Sequence, residues 1–221
     1  MLISEWYTMG MQVTFYFDPS CPFSWITSRW LLLVAPEREV TVSWRPFCLA
    51  LKNDEVVKRT GETTHAAAHR DAHRALRLML AAERDHGTPL VESYSASGRV
   101  RHIMGDPLDN PGLERMLAQL KLPTTLLSAA DDASFDTPLR AHIAEAVTIV
   151  GEDIGVPTLV YALPNGTKQG YFGPVLDALP DKAEALAIWD GLAALATTTQ
   201  FYELKRNRPS GSPDVASTAR C

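Results

Sequence analysis

Gln12-Val13-Thr14-Phe15-Tyr16-Phe17-Asp18-Pro19-Ser20-Cys21-Pro22-Phe23-Ser24-Trp25-Ile26-Thr27-Ser28-Arg29-Trp30 is the stretch on which the fold turns. Val13, Phe15 and Phe17 alternate with Thr14 and Tyr16, the period of a β-strand over Gln12–Phe17. Asp18-Pro19-Ser20 reads as a turn. Pro22 is tolerated in the first turn of a helix, and Phe23, Ile26, Trp30 and Leu33 then recur at helical spacing until Pro36. Beyond it Val40, Val42 and Trp44 alternate with polar positions, predicting a second strand that ends at Pro46. Strand, helix and strand in succession imply two parallel strands joined by a right-handed crossover.

Working outward, Leu51 to Val150 carries helical patterns and no strand-like run. Ala72, Leu76, Met79 and Leu80 mark one helix, capped by Gly87. Asp109-Asn110-Pro111 opens another, and Leu139, Ile143, Val147 and Val150 mark a third. Gly98 and Asp106-Pro107 are read as breaks between helices. Strand character returns at Thr158–Tyr161 and Lys168–Phe172, and Pro164-Asn165-Gly166 between them predicts a β-hairpin. A last helix is expected over Lys182–Ala196, with Leu186, Trp189, Leu192 and Leu195 inward. The tail from Asn207 is rich in Pro, Ser and Gly and is expected to be disordered. No internal repeat is present. The order β-α-β, helical stretch, β-β-α is an α/β fold that resembles the thioredoxin-like arrangement. Residues 11–50 and 151–206 would form that domain, 51–150 an all-helical insertion and 207–221 the tail.

The chain has 221 residues with Lys plus Arg at 21 and Asp plus Glu at 26, a formal charge of −5. That balance leaves no electrostatic footprint for nucleic acid or for an anionic membrane. No apolar run reaches the ~18 residues of a membrane helix. Met1 to Gly10 holds Glu5 but no Lys or Arg and no apolar core, which does not read as a secretory signal. The three cysteines, Cys21, Cys48 and Cys221, are odd in number and sparse, the usage of a reduced compartment. A cytoplasmic protein is expected.

Cys21 lies just after a strand and at the start of a helix. Free N–H groups and the macrodipole at such a position stabilise a thiolate, the attacking species in disulfide exchange. The surrounding Asp-Pro-Ser-Cys-Pro is turn sequence rather than core sequence. Cys48, just after the second strand, should open on the same side as Cys21. It is read as a packed core thiol, with a resolving role as the alternative; Cys221 is read as inert. His65, His69 and His73 share a helical face, but the ends of the trio are about 12 Å apart, too far for one metal ion. With Arg70, Arg74 and Arg77 alongside, they are read as a solvated face, and no metal is expected.

Four stretches together carry a resemblance: residues 17–30 (Phe-Asp-Pro-Ser-Cys-Pro-Phe-Ser-Trp-Ile-Thr-Ser-Arg-Trp), 150–158 (Val-Gly-Glu-Asp-Ile-Gly-Val-Pro-Thr), 171–176 (Tyr-Phe-Gly-Pro-Val-Leu) and 201–206 (Phe-Tyr-Glu-Leu-Lys-Arg). The chain resembles the DsbA-like branch of the thioredoxin superfamily, and more closely the actinobacterial mycothiol-dependent nitroreductase family. The resemblance implies an oxidoreductase whose co-substrate is mycothiol or another low-molecular-weight thiol, acting on a disulfide or electrophilic substrate. It implies a cis bond at Val156–Pro157 facing the reactive cysteine, with the backbone of Val156 open to a thiol ligand. It places Asn53 and His102 at the thiol. From the residues themselves, Phe23, Trp25 and Tyr171 are read as lining an apolar groove near Cys21, with core packing as the equal alternative for Trp25. Where that family has Cys-Pro-Trp-Cys, this chain has Cys21-Pro22-Phe23-Ser24: the attacking cysteine is kept and the resolving one is serine. Monothiol chemistry remains, with Ser24 as a hydrogen-bond donor to the Cys21 thiolate. A kappa-class glutathione-transferase-like or isomerase-like enzyme is the alternative, against which stands the serine those relatives carry at the place of Cys21. A non-catalytic binding module on the same fold is the other.

Overall fold

The computed structural model describes residues 10–60, 65–208 and 211–220. Two compact units divide the chain. The first comprises Met1–Tyr16, Pro22–Trp44 and Ala146–Cys221, the second Phe17–Cys21 and Arg45–Glu145. Strands β1 (Gln12–Phe17), β2 (Thr41–Pro46), β3 (Thr158–Ala162) and β4 (Lys168–Phe172) form one sheet in the order β2-β1-β3-β4. Helix α1 (Pro22–Val34) crosses from β1 to β2. Then follow α2 (Leu49–Thr60), α3 (Ala66–His86), α4 (Leu90–Gly98), α5 (Asn110–Leu120) and α6 (Asp136–Val150), and α7 (Lys182–Ala196) comes after the hairpin.

β1 and β2 run parallel: the Thr41 amide donates to the Met11 carbonyl at 2.8 Å and the Phe47 amide to the Phe17 carbonyl at 2.8 Å, the same offset at both ends. β3 pairs with β1 antiparallel, Thr158 opposite Tyr16, and β4 pairs with β3, Phe172 opposite Thr158. As a central strand β1 is covered on both faces, so Tyr16 is as fully buried as Phe15 and Phe17. β4 carries Gly170 where Val150 and Val160 close in; a Cβ there would sit 2.7 Å from a methyl of each.

In the first unit Trp30 packs against Trp189 at 6.0 Å between ring centroids, and its indole N–H donates to the Ala185 carbonyl at 3.0 Å. The inward face of α7 is Ala185, Trp189, Ala193 and Ala196. Leu186, Leu192 and Leu195, expected inside, are only half-buried. The small alanines let the helix approach Trp30 and Tyr161, and the leucines fall to the sides.

In the second unit Gly87 ends α3 in the left-handed conformation at φ 65°, its N–H shared by the Ala82 and Glu83 carbonyls. Asp109 caps α5 by accepting from the Gly112 amide. Gly98 does not break the chain. It keeps helical dihedrals, and the helix widens into a π turn over Arg99–Ile103, the Met104 amide reaching back to the Arg99 carbonyl at 2.9 Å. The histidine face of α3 is not simply solvated either. His73 and Arg77 both bind the Asp136 carboxylate, each at 2.7 Å, and His65 and His69 stack at 6.0 Å.

The tail is the largest departure from composition. Residues expected to be disordered from Asn207 include an ordered segment at 211–220. Val215–Thr218 forms a 3-10 turn, and Thr218 is buried. The Asp214 amide donates to the Asp177 carbonyl at 2.7 Å and the Leu179 amide to Ser217 Oγ at 2.9 Å. The Trp25 indole N–H donates to Thr218 Oγ1 at 2.8 Å. A fully buried indole needs an acceptor, and the tail supplies it; composition cannot register a partner so distant in sequence. Cys221 and the first nine residues lie outside the described residues. No described helix is long and apolar enough to cross a membrane, and among the described residues no cluster could hold a metal ion.

Candidate active site

Cys21 ends a turn that is held from three sides. Asp18, at the end of β1, is fully buried. One carboxylate oxygen accepts from the Ser20 amide at 2.8 Å and the Ser20 hydroxyl at 2.5 Å; the other accepts from the Leu49 amide at 2.8 Å. One side chain thus fixes the residue before Cys21 and caps α2. The Cys21 amide closes the turn onto the Asp18 carbonyl at 3.1 Å. From the π turn, His102 Nε2 lies 2.9 Å from the Pro19 carbonyl. A carbonyl only accepts, so Nε2 carries the proton.

Burial sets the electrostatics. It pushes the Asp18 carboxyl above the ordinary carboxylate range, opposed by the bonds from Ser20 and Leu49 and by the nearby His69. It lowers His69, and it lowers His102 to about 4, the Pro19 bond opposing. His102 is therefore a neutral donor at ordinary pH. Cys48, the residue before α2, is fully buried; burial first and the Asp18 charge second push its thiol well up. A buried protonated thiol is a poor resolving nucleophile, in keeping with its reading as a core thiol. Cys21, by contrast, is a half-buried cysteine outside any disulfide.

The second unit thus brings together Cys21, Asp18, Cys48, His69 and His102. Asn53 lies within α2, one turn past the capped end, and is half-buried; it is a helical residue, not a turn or cap asparagine. Pro22, Phe23 and Ser24 open α1 in the first unit. Ser24 is buried rather than a solvated first-turn residue. Phe23 is half-buried, with the Arg208 guanidinium 4.7 Å from its ring centre. Val156 and Pro157 also belong to the first unit, and the bond between them is cis, as is Gly173–Pro174. Trp25 and Tyr171 do not line an open groove. Trp25 is core, with Arg29 stacked on it at 4.2 Å. The Tyr171 hydroxyl accepts from Gln169 at 2.5 Å and donates toward the Phe201 carbonyl at 3.2 Å.

Sequence reasoning passed over Asp18 as a turn residue. The available signal was Asp followed two residues on by Ser, the pattern in which an aspartate side chain bonds the backbone ahead of it.

Residues 20–206 match the Rv2466c-like family, described as mycothiol-dependent nitroreductase Rv2466c. The chain is similar to the uncharacterized protein Rv2286c of Mycobacterium tuberculosis, 30% identical over 212 residues that cover 94% of this chain and 86% of that one. Several solved structures share the fold. One is the cytosolic disulfide reductase DsbM from Pseudomonas aeruginosa, with a TM-score of 0.55 at 20% identity, covering 84% of this chain and 100% of that one. Another is the probable DsbA oxidoreductase SCO1869 from Streptomyces coelicolor, with a TM-score of 0.53 at 17% identity, covering 91% and 97%. A strand–Cys-Pro–helix join in a β-α-β … β-β-α frame, matched along most of its length, makes the chain a member of the Rv2466c-like family, a thiol oxidoreductase on the DsbA-like thioredoxin fold.

Proposed function

We propose that the protein runs a monothiol cycle with a low-molecular-weight thiol, Cys21 being its nucleophile. The carrying observation is the asymmetry of its thiols: Cys21 is half-exposed at a clamped turn, Ser24 stands where a second active-site cysteine would, and Cys48 is buried with its thiol pushed up. The Cys21 thiolate attacks one sulfur of a disulfide. A Cys21–sulfur bond forms, the substrate S–S bond breaks, and the leaving thiolate takes the electron pair. A second small thiolate then attacks the mixed disulfide, freeing Cys21 and leaving as the new disulfide. One small thiolate is consumed and one thiolate released while the substrate disulfide is exchanged for a mixed one. A further small thiolate attacking that mixed disulfide releases the second substrate thiolate, so that two small thiols become one disulfide as the substrate disulfide becomes two thiols.

Mycothiol is the thiol that the family's description suggests, and a DsbM structure of the same fold was solved with glutathione. Either thiol fits the cycle. Asn53, His102, Phe23, Val156 and Pro157 are the proposed surroundings of the bound thiol, and Ser24 a donor toward Cys21. Reduction of nitro compounds rests on the family's description alone; Ser24 removes the internal dithiol that would deliver two electrons at once.

Oxidising the purified protein with a small-thiol disulfide and recording its intact mass tests the cycle. One adduct that survives dilution, persists in Cys48→Ala and vanishes in Cys21→Ala is the expected result. A loss of about two daltons without an adduct, mapped to a Cys21–Cys48 bridge, would overturn it.

A further inference from the structure

The segment after α7 returns along β4 to the start of α1. Gln169 donates to the Thr198 carbonyl at 2.6 Å, and Tyr171 packs on Phe201 at 5.7 Å between ring centres. Farther on, 211–220 is fastened by the bonds of Asp214, Ser217 and Thr218. Between these two anchors runs Lys205-Arg206-Asn207-Arg208, three cations in four residues of a chain whose net charge is −5. All four residues are exposed. Arg208 nevertheless has a fixed station, its guanidinium 4.7 Å from the centre of the Phe23 ring.

Phe23 is two residues after Cys21, so their α-carbons are at most about 7.6 Å apart. Stacking occupies the flat face of the guanidinium and leaves its N–H edge free for an anion.

We infer that Arg208 is a specificity-determining residue: it selects, among disulfides that Cys21 attacks, those bearing a carboxylate near the scissile bond. The inference rests on Cys21 being the nucleophile. The carboxylate meets the guanidinium edge while the thiolate attacks the adjacent sulfur, and the leaving thiolate departs with the electron pair. Arg208 neither gives nor takes a proton; it lowers the energy of the anionic encounter. The basic run around it draws anions to an otherwise acidic protein.

The test uses the full chain at low ionic strength and two chromogenic disulfides, dithiobis(nitrobenzoate), which carries carboxylates, and dithiodipyridine, which is neutral. The quantity read is the ratio of their single-turnover rate constants with Cys21. Arg208→Gln should lower that ratio about three- to fivefold, the effect of one charge pair near water, and Arg208→Lys should restore most of it. Added salt should lower the ratio in the parent protein and not in Arg208→Gln. Lys182→Gln makes the same change in net charge at a different place. Lys182 binds Glu37 at 2.7 Å, beyond the far end of α1 and about 16 Å from Phe23 along the helix, so it should leave the ratio alone. An unchanged ratio in Arg208→Gln, or an equal fall in Lys182→Gln, overturns the inference while Cys21 chemistry stands. A reaction that persists in Cys21→Ala at the parent rate overturns the proposed function and this inference with it.

Discussion

Cys21 and Cys48 occupy the same place in two copies of one design. Each follows a parallel strand of the sheet, and each immediately precedes a helix, α1 for Cys21 and α2 for Cys48. Judged by the helix end alone, both thiols should be activated. Their surroundings separate them. Cys21 is half-exposed at the end of a polar turn, whereas Cys48 is fully buried with the Asp18 carboxylate in its field, and its thiol is pushed up. Removing a charge from water costs more than a helix end returns. The lesson is that strand–Cys–helix is a frame, and the polarity of the turn decides whether it yields a nucleophile.

The largest effect expected from this comparison is in alkylation. Brief iodoacetamide treatment of the native protein at pH 7, read peptide by peptide, should label Cys21 roughly a hundredfold or more faster than Cys48. The gap should close in denaturant, where burial no longer distinguishes the two. Rates within a factor of about ten in the native protein would break the comparison.

The Asp18 side chain serves both turns, so its removal should damage both. Asp18→Ala deprives the Ser20 and Leu49 amides of their acceptor and takes the cap from α2. The expected loss is about 2–4 kcal/mol in urea unfolding. Asp18→Asn keeps an acceptor for either Ser20 or Leu49 but turns an N–H toward the other, and its loss should fall between those of the parent and Asp18→Ala. A loss below about 1 kcal/mol for the alanine variant would mean that the clamp is not what holds the Cys21 turn.

How far sequence reached follows the same division. The β1–turn–α1 stretch was legible because alternation, a proline at a helix start and a polar turn are local signals. The hairpin and the span of α7 were legible for the same reason. Asp18 escaped because its most telling partner, the Leu49 amide, belongs to a helix that the stretch itself does not contain. His102 could be pointed to only by resemblance, since the π turn that aims it at Pro19 leaves no periodic mark. The tail was misread because Pro, Ser and Gly argue for disorder only while no buried donor waits for them, and Trp25 is such a donor.

That tail separates the two helices further: α1 is secured by Thr218, 193 residues along the chain from Trp25, whereas the cap of α2 comes from Asp18, 31 residues before Leu49. Thr218→Ala should leave the Trp25 indole N–H without its acceptor and cost about 1–2 kcal/mol in urea unfolding. Thr218→Ser, which keeps the hydroxyl, should recover most of it. Equal losses in both variants would assign the effect to the methyl group rather than the hydrogen bond.

The smallest effect belongs to His102, which touches the Cys21 turn through Pro19. Its folded pKa is lowered to about 4 from an ordinary 6.5, chiefly by burial. Between those values the unfolded chain binds the proton and the folded chain does not, so stability rises with pH and is lost as pH falls from about 6.5 toward 4. His69 and His142, also lowered by burial, act in the same direction, while Asp18, raised by burial, acts in the opposite one. The difference between the parent and His102→Gln isolates the contribution of His102, because the amide can still donate to the Pro19 carbonyl and does not titrate. From pH 7 to pH 6 the parent should lose about 0.5–1 kcal/mol more than His102→Gln in urea unfolding. Equal losses would show that the imidazole is not held neutral against Pro19. A larger loss in the glutamine variant would mean that the ring is held protonated in the folded state, with Nε2 still donating to the Pro19 carbonyl.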